Sequence, residues 1–212
     1  MKLTKLEQSG FIIETNSGYK LAIDIGSYTP LEKLAGISVD AILVSHIHPD
    51  HFSLNQIKAL APKRLYLNRE CIEALGEETL DSEIIDVKVG DKIEINGIKV
   101  TFFDVDHGPN VRIRPKENFG FLIEVDGKKI YFAGDMFYPS GIDVANLEVD
   151  TSLIPVGGFY TFEPEEALDF VTKFKSSGKI IPMHYEKTPE NRDKFIKLAV
   201  KNNLNTESFI LR

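Results

Sequence analysis

The stretch His46-Ile47-His48-Pro49-Asp50-His51 decides how the rest of this 212-residue sequence is interpreted. It holds three of the five histidines and follows an apolar run at 41–44, which predicts a buried strand. Three crowded imidazoles are costly to bury and would repel one another if protonated. Neutral histidine nitrogen and ionised aspartate oxygen are, however, good ligands for Zn, Mn or Fe. The stretch therefore predicts a metal site that follows directly on a strand.

The other two histidines and two further aspartates also follow apolar, strand-like runs. These residues are Asp24, His107, Asp135 and His184. Because functional groups gather on the loops beyond strand ends, five histidines out of five in such positions favour a shared site over unrelated surface residues. For Asp24 the sequence leaves two interpretations open, a functional carboxylate or an ordinary carboxylate in a strand-end turn.

The overall composition is that of an ordinary globular protein. Hydrophobic residues make up 42% of the chain and charged residues 27%, and the net charge is −7. Without a basic block, nucleic acid is not favoured as a partner. No apolar run reaches the roughly 20 residues that cross a bilayer, and no apolar signal core follows Met1. We therefore expect a single domain over 1–212, a cytoplasmic location and no membrane association, while the oligomeric state stays open.

Strand-like and helix-like segments alternate along the chain. Ser53 is a candidate cap for a helix, a second helix is predicted from Glu163 to Gly178, and a third from Glu190 to Lys201. The single cysteine, Cys71, is predicted to be a buried filler and not a nucleophile. The predicted strands are 2–7, 10–15, 19–25, 41–44, 64–67, 83–87, 92–95, 98–105, 119–125, 128–133 and a short one at 179–183.

The two halves of the chain resemble each other. Phe11-Ile12-Ile13-Glu14 is echoed 110 residues later by Phe121-Leu122-Ile123-Glu124, and each is followed by a turn, a strand and an aspartate. This pattern predicts a duplicated βα unit and two sheets facing each other. Chance similarity among strand-rich segments is the alternative.

The order His46-x-His48-x-Asp50-His51, His107, Asp135, His184 resembles the metallo-β-lactamase superfamily, and the likeness covers nearly the whole chain. It implies an α/β fold, a four-layer αββα sandwich. It also implies two metal ions, with Zn favoured and Mn, Fe and Ni as alternatives. The implied ligands are His46, His48 and His107 for one ion, Asp50, His51 and His184 for the other, with Asp135 bridging both. Asp50 and Asp24 are the implied catalytic residues, Asp24 by orienting a ligand imidazole.

Two such ions can hold a bridging hydroxide near neutral pH, which attacks carbon or phosphorus. The predicted function is hydrolysis of an ester, lactone or phosphodiester bond in a small anionic substrate. Residues 155–167 and 181–185 are similar to small metal-dependent hydrolases related to L-ascorbate-6-phosphate lactonase. A nuclease or cyclic-nucleotide phosphodiesterase, and a non-catalytic metal-binding module, are the alternatives.

Five residues are candidates for substrate contact. Arg112, Arg114 and Lys116 place three cations in a loop after His107, and Arg suits bidentate recognition of an anion. A solvated hairpin is the other interpretation of this loop. Tyr160 and Tyr185 are candidates to stabilise a developing oxyanion, although tyrosines of this kind also serve simply to pack.

Overall fold

The strands and helices of the chain group into two compact units in the computed structural model, which describes residues 1–139 and 143–207. The first unit comprises Met1–Asp91 and Pro115–Glu117, and the second comprises Lys92–Arg114 and the described residues after Glu117. Each unit is built on one six-stranded mixed sheet. The single domain predicted over 1–212 stays a prediction.

The sheet of the first unit has the order β1-β2-β3-β4-β5-β6. Its first three strands pair antiparallel and the remainder pair parallel. Parallel strands buried on both faces need continuous apolar runs, which explains why every residue of β3 beyond its first and every residue of β4 is buried. The elements are β1 Lys2–Lys5, β2 Phe11–Glu14, β3 Lys20–Ile23, α1 Leu31–Leu34, β4 Ala41–Leu43, α2 Leu54–Leu60, β5 Arg64–Leu67, α3 Arg69–Leu75 and β6 Glu83–Asp86.

One face of this sheet packs against the helices of the unit. Ala22, Ile42 and Leu65 come from β3, β4 and β5, and they share a cluster with Ile57 of α2 and Cys71 of α3. Full burial of an aliphatic side chain of this kind contributes about 1.5–3 kcal/mol. Strand β4 is thus held firmly, and it presents the histidine-rich loop that follows. Cys71 is buried, as predicted, and burial raises the pKa of its thiol.

The sheet of the second unit has the order β12-β11-β10-β9-β8-β7, and its core is rich in aromatic rings. Phe102 of β8 packs edge-on against Phe119 and Phe121 of β9, with ring centroids 5.4 and 5.2 Å away. This geometry favours such ring pairs beyond the area they bury. The elements are β7 Lys92–Ile95, β8 Ile98–Asp104, β9 Phe119–Val125, β10 Lys128–Phe132, β11 Glu148–Pro155, α4 Pro164–Val171, β12 Ser176–Met183 and α5 Pro189–Lys201.

The two sheets repeat the same connection pattern. Strands β1 to β5 pair antiparallel, antiparallel, parallel and parallel in succession. Strands β8 to β12 pair in the same succession. The strands at 11–14 and 119–125 are equivalent in the two patterns, which is what the predicted duplication requires.

One helix prediction needs correction, and two short helices were not predicted. Helix α4 ends at Val171 and not at Gly178, which lies inside β12. A Cβ at Gly178 would lie 2.4 Å from the Asp150 carbonyl oxygen, so the glycine serves close packing of β11 and not helix termination. Helices α1 and α3 were not predicted, because four and seven residues are too few to show a clear helical period.

Candidate metal centre

The turn after β4 brings three imidazoles of the first unit together. The His46 ring centroid lies 4.6 Å from that of His48 and 4.2 Å from that of His51. The backbone N–H groups of His51 and Phe52 both donate to the His48 carbonyl, at 2.9 and 2.8 Å, and close the turn. His46 and His51 are almost completely buried. The sequence therefore folds a short, hydrogen-bonded turn around a cluster of nitrogen donors.

Asp24 lies behind this cluster and is fully buried. Its Oδ1 accepts from the Ser45 backbone N–H at 2.7 Å, and its Oδ2 accepts from the Ser45 hydroxyl at 2.5 Å and from His51 Nδ1 at 2.7 Å. Burial raises the pKa of the Asp24 carboxyl, and the contacts with His51 and Ser45 oppose that rise. The carboxylate therefore orients Ser45 and His51 and is not exposed to solvent.

These hydrogen bonds fix which nitrogen of two histidines carries the proton. His51 Nδ1 must donate to the Asp24 carboxylate, which only accepts. The Ser45 hydroxyl donates to Asp24, so it accepts from His46 Nδ1 at 2.9 Å. Both rings therefore present Nε2 with its lone pair, the form that ligates a metal. Ser45 was not among the predicted site residues, although its position directly before His46 was the available signal.

A glycine allows the loop after β3 to pack closely against the turn that carries Asp50 and His51. A Cβ at Gly26 would lie 1.9 Å from the Asp50 carbonyl carbon, and the Ser27 N–H donates to the Pro49 carbonyl at 2.7 Å. Asp24 itself has a left-handed backbone, with φ 49°. The loop that carries Asp24 is therefore fixed against the loop that carries Asp50 and His51.

Asp50 has two neighbours of interest in the same unit. Its Oδ2 lies 3.7 Å from His51 Nε2 and accepts a hydrogen bond of 2.9 Å from Gln8 Nε2. Gln8 was not among the predicted site residues either. It lies 42 positions away in the chain, in a turn that shows no functional pattern.

The second unit holds a separate group of donors around one carboxylate oxygen. Asp135 Oδ2 lies 3.5 Å from His107 Nε2 and 3.0 Å from His184 Nε2. Asp135 and His107 are buried, whereas His184 is partly exposed. One aspartate oxygen thus faces the Nε2 atoms of two histidines, an arrangement suited to a bridging ligand.

Backbone constraints hold these three residues in place. Asn118 donates to the carbonyls of Val105 and Asp135, at 3.2 and 2.9 Å. A Cβ at Gly157 would lie 2.1 Å from the His184 carbonyl oxygen, so this glycine is required for the close approach. His184 has φ 58°, a left-handed conformation that is uncommon for residues other than glycine, although asparagine, aspartate and histidine adopt it more often than most. Such strain concentrates at functional sites.

The spacing of the donors fits a metal ion. Two ligands at ~2.1 Å from a tetrahedral ion lie ~3.4 Å apart, by the bond lengths typical of zinc sites. The nitrogen-to-oxygen distances of 3.7, 3.5 and 3.0 Å within the two units bracket that value. Among the described residues, the candidate metal ligands are the seven predicted ones, His46, His48, Asp50, His51, His107, Asp135 and His184.

The predicted substrate residues have varied surroundings. Arg112 and Lys116 are exposed, whereas Arg114 donates to Asp106 at 2.6 Å and is thereby paired with a carboxylate. Tyr160 is 47% exposed beside the exposed Phe159, whose carbonyl accepts from Asn110 at 2.6 Å. Tyr185 is buried, which raises the pKa of its hydroxyl, and the Arg192 guanidinium lies 5.3 Å from its ring. Packing is thus the better interpretation for Tyr185 than for Tyr160.

Comparisons with known proteins identify the class. The model of the beta-lactamase superfamily domain matches residues 2–184. A metal-dependent hydrolase from Methanocorpusculum labreanum is 29% identical over 90% of this chain and 85% of its own. Another from Thermococcus onnurineus is 30% identical over 72% of this chain and 70% of its own.

Solved structures show the same fold. The metallo hydrolase Igni18 from Ignicoccus hospitalis has a TM-score of 0.75, with 22% identity over 98% of this chain and 94% of its own. The metallo-beta-lactamase fold protein YhfI from Bacillus subtilis has a TM-score of 0.71, with 17% identity over 96% of this chain and 88% of its own.

These matches define a metal-dependent hydrolase with an α/β metallo-β-lactamase fold. The chain belongs to the metallo-β-lactamase superfamily, as the histidine and aspartate pattern predicted. The narrower likeness to L-ascorbate-6-phosphate lactonase stays a prediction. None of the helices in the described ranges is both long and apolar enough to span a bilayer.

Proposed function

We propose that this protein hydrolyses an ester, lactone or phosphodiester bond in a small anionic substrate and uses two divalent ions in a cytoplasmic setting. The observation that carries the proposal is the hydrogen-bond system of Asp24. A buried carboxylate that directs two imidazoles through their Nδ1 atoms serves little purpose unless their Nε2 atoms bind a cation. Zn is the favoured ion, because nitrogen and carboxylate donors suit it, and Mn, Fe and Ni remain alternatives.

The proposed ligands divide into two sets. His46, His48 and His107 hold one ion, and Asp50, His51 and His184 hold the other, while Asp135 is shared. When bound, the ions supply Lewis acidity and an activated water for the hydrolysis. The protein's own part is to hold the donors in position: Asp24 and Ser45 fix the tautomers of His46 and His51, and Asn118 fixes the loop of Asp135.

Substrate contact is proposed for Arg112 and Tyr160, which are exposed, with Lys116 as a further cation. An exposed arginine can pair bidentately with a substrate carboxylate or phosphate. The pairing of Arg114 with Asp106 makes Arg114 a weaker candidate and reduces the cationic character of the loop. The pairing of Arg114 also weakens the case for a nuclease, which needs several cations along a polyanion.

Metal content and activity measured together test the proposal. The purified protein is analysed for bound metals and assayed on a panel of lactones, carboxylic esters and phosphodiesters, before and after chelation. His48→Ala and Asp50→Ala are expected to lose bound metal and at least 100-fold in activity. Asp126→Asn, which lies in an exposed hairpin turn, is the matched control and should retain both. Full activity in the chelated protein or in the two alanine variants would refute the proposal.

A further inference from the structure

Gln8 occupies a strained and buried turn between β1 and β2. Its φ of 56° lies in the left-handed region, which a glutamine rarely adopts, and only 3% of the residue is exposed. Hydrogen bonds from Leu6 N–H to the Gly10 carbonyl and from Gly10 N–H to the Glu7 carbonyl close the turn, at 2.7 and 2.9 Å. The fold thus holds Gln8 in an unfavourable backbone conformation.

A buried lysine holds the same turn from its other side. Lys5 is 6% exposed, and its Nζ donates to the Leu6 carbonyl at 2.8 Å and to the Gln8 carbonyl at 3.2 Å. Burying an ammonium group is costly unless hydrogen bonds compensate for it. The left-handed turn and the hydrogen bonds of Lys5 together hold Gln8 in a position where its side chain is buried in the unit.

The Gln8 side chain ends at a candidate ligand. Its Nε2 donates to Asp50 Oδ2 at 2.9 Å, and that oxygen is also the one that lies 3.7 Å from His51 Nε2. An ionised carboxylate oxygen accepts in two directions. The amide of Gln8 fills one of them, which orients the other and limits rotation of the Asp50 carboxylate.

We propose that Gln8 is a positioning residue that aims Asp50 Oδ2 at the metal ion of the Asp50–His51 set. This inference rests on the proposed function, because it requires Asp50 to be a ligand. Gln8 would do for Asp50 what Asp24 does for His51, so each of these neighbouring ligands would be oriented by a different residue. Partners that orient ligands in this way typically change metal affinity by 10- to 100-fold when removed.

The test separates the two ions by stepwise loading. Chelated wild type, Gln8→Met and Gln56→Met are titrated with Co²⁺ and followed by visible absorption and by competition with a chromophoric chelator. Methionine keeps the length of glutamine but has no N–H donor. Gln56 is the matched control: it is a buried glutamine of the same unit, and its Nε2 donates at 3.0 Å to the backbone carbonyl of Thr29 and not to a ligand.

We expect Gln8→Met to bind one of the two equivalents of Co²⁺ as the wild type does and the other on the order of 10- to 100-fold more weakly. The absorption bands of the weakened equivalent should also shift, because Gln8 no longer orients its carboxylate ligand. Gln56→Met should bind both equivalents as the wild type does. If Gln8→Met does not fold, Gln8→Asn tolerates the left-handed backbone, falls one methylene short of Asp50 and should give the same result.

Two outcomes would overturn the inference, and they are distinguishable. A wild type that takes up two ions, beside a Gln8→Met or Gln8→Asn protein with unchanged affinity for both, overturns the role of Gln8 and leaves the proposed function standing. A wild type that takes up fewer than two ions overturns the proposed two-ion function, and the role of Gln8 with it.

Discussion

At the scale of single residues, the most consequential side chain is a buried carboxylate that lies behind the proposed ligands. Asp24 accepts three hydrogen bonds at full burial and determines the tautomers of His46 and His51. A carboxylate in this role is not replaceable by an amide of equal size, because the amide nitrogen donates where the carboxylate oxygen accepts. The proposed metal binding therefore depends on a residue behind the candidate ligands.

Asp24→Asn is expected to weaken metal binding by about 10- to 100-fold. It should also lower the free energy of unfolding by about 1–3 kcal/mol, because a buried donor of His51 or Ser45 loses its acceptor. Competition with a chromophoric chelator measures the affinity, and urea denaturation of the chelated protein measures the stability. Asp150→Asn, at an exposed pair with Lys128, is the control and should leave metal affinity unchanged. Wild-type affinity in Asp24→Asn would contradict the assigned role.

A second residue-scale prediction concerns pH. The Lys20 backbone N–H donates to the Asp40 carboxylate and Lys63 pairs with it, and these contacts lower the pKa of Asp40. A carboxyl whose pKa is lower in the folded than in the unfolded state stabilises the fold above the ordinary pKa, which is about 3.9. That stabilisation is lost as the pH falls through the lowered pKa of the folded state.

Chelated Asp40→Asn should therefore be less stable than chelated wild type at pH 7, by about 0.5–1 kcal/mol for a partly exposed pair. The difference should persist at pH 5 and shrink towards zero as the pH falls below about 3.9. Urea denaturation at a series of pH values from 7 to 3 is the measurement. A difference that stays constant, or grows, as the pH falls would show that Asp40 does not act through its charge.

At the scale of elements, the site depends on loops that approach one another more closely than a side chain would permit. Gly26 lies against the Asp50 backbone and Gly157 against the His184 backbone, and in both cases a Cβ would overlap the neighbouring peptide group. The flexible end of a side chain can move aside, but backbone cannot. Both loops therefore require glycine for steric reasons.

Gly26→Ala is expected to displace the loop of Asp24 from the loop of Asp50 and His51. Metal affinity should fall by about 10-fold or more, as for other losses of ligand orientation, and the melting temperature should fall with it. Gly18→Ala is a useful contrast. Gly18 has φ 86° and open space around it, so alanine there adds backbone strain without touching the ligands. Equal metal affinity in Gly26→Ala and Gly18→Ala would refute the steric argument.

The elements also show what sequence alone could and could not reveal. Strand β4 and the histidine cluster after it, a set of candidate ligands, were predictable, because an apolar run and adjacent histidines are local signals. Gln8 was not, since its contact with Asp50 joins positions 42 residues apart and depends on the left-handed turn. Gly178 was misread as a helix terminator because its real constraint, contact with the Asp150 backbone, exists only once β11 and β12 pair.

At the scale of the whole molecule, the proposed ligands extend from His46 to His184 along the chain, so ion binding should stabilise most of the fold and not one loop. Each ion that binds only the folded state adds about 2.7 kcal/mol at a concentration 100 times its dissociation constant. For a protein of this length that corresponds to about 5–10 °C in melting temperature.

Chelation should therefore lower the melting temperature of the wild type by at least that amount, and added Zn²⁺ should restore it. The double variant His48→Ala/Asp50→Ala lacks one ligand of each proposed set, so its melting temperature should respond much less to chelation and to Zn²⁺. Differential scanning calorimetry of both proteins, with and without chelator, gives the comparison directly. If wild type and double variant responded equally, the stabilising ions would be bound elsewhere, because a response that survives the loss of two ligands cannot come from the sites those ligands form.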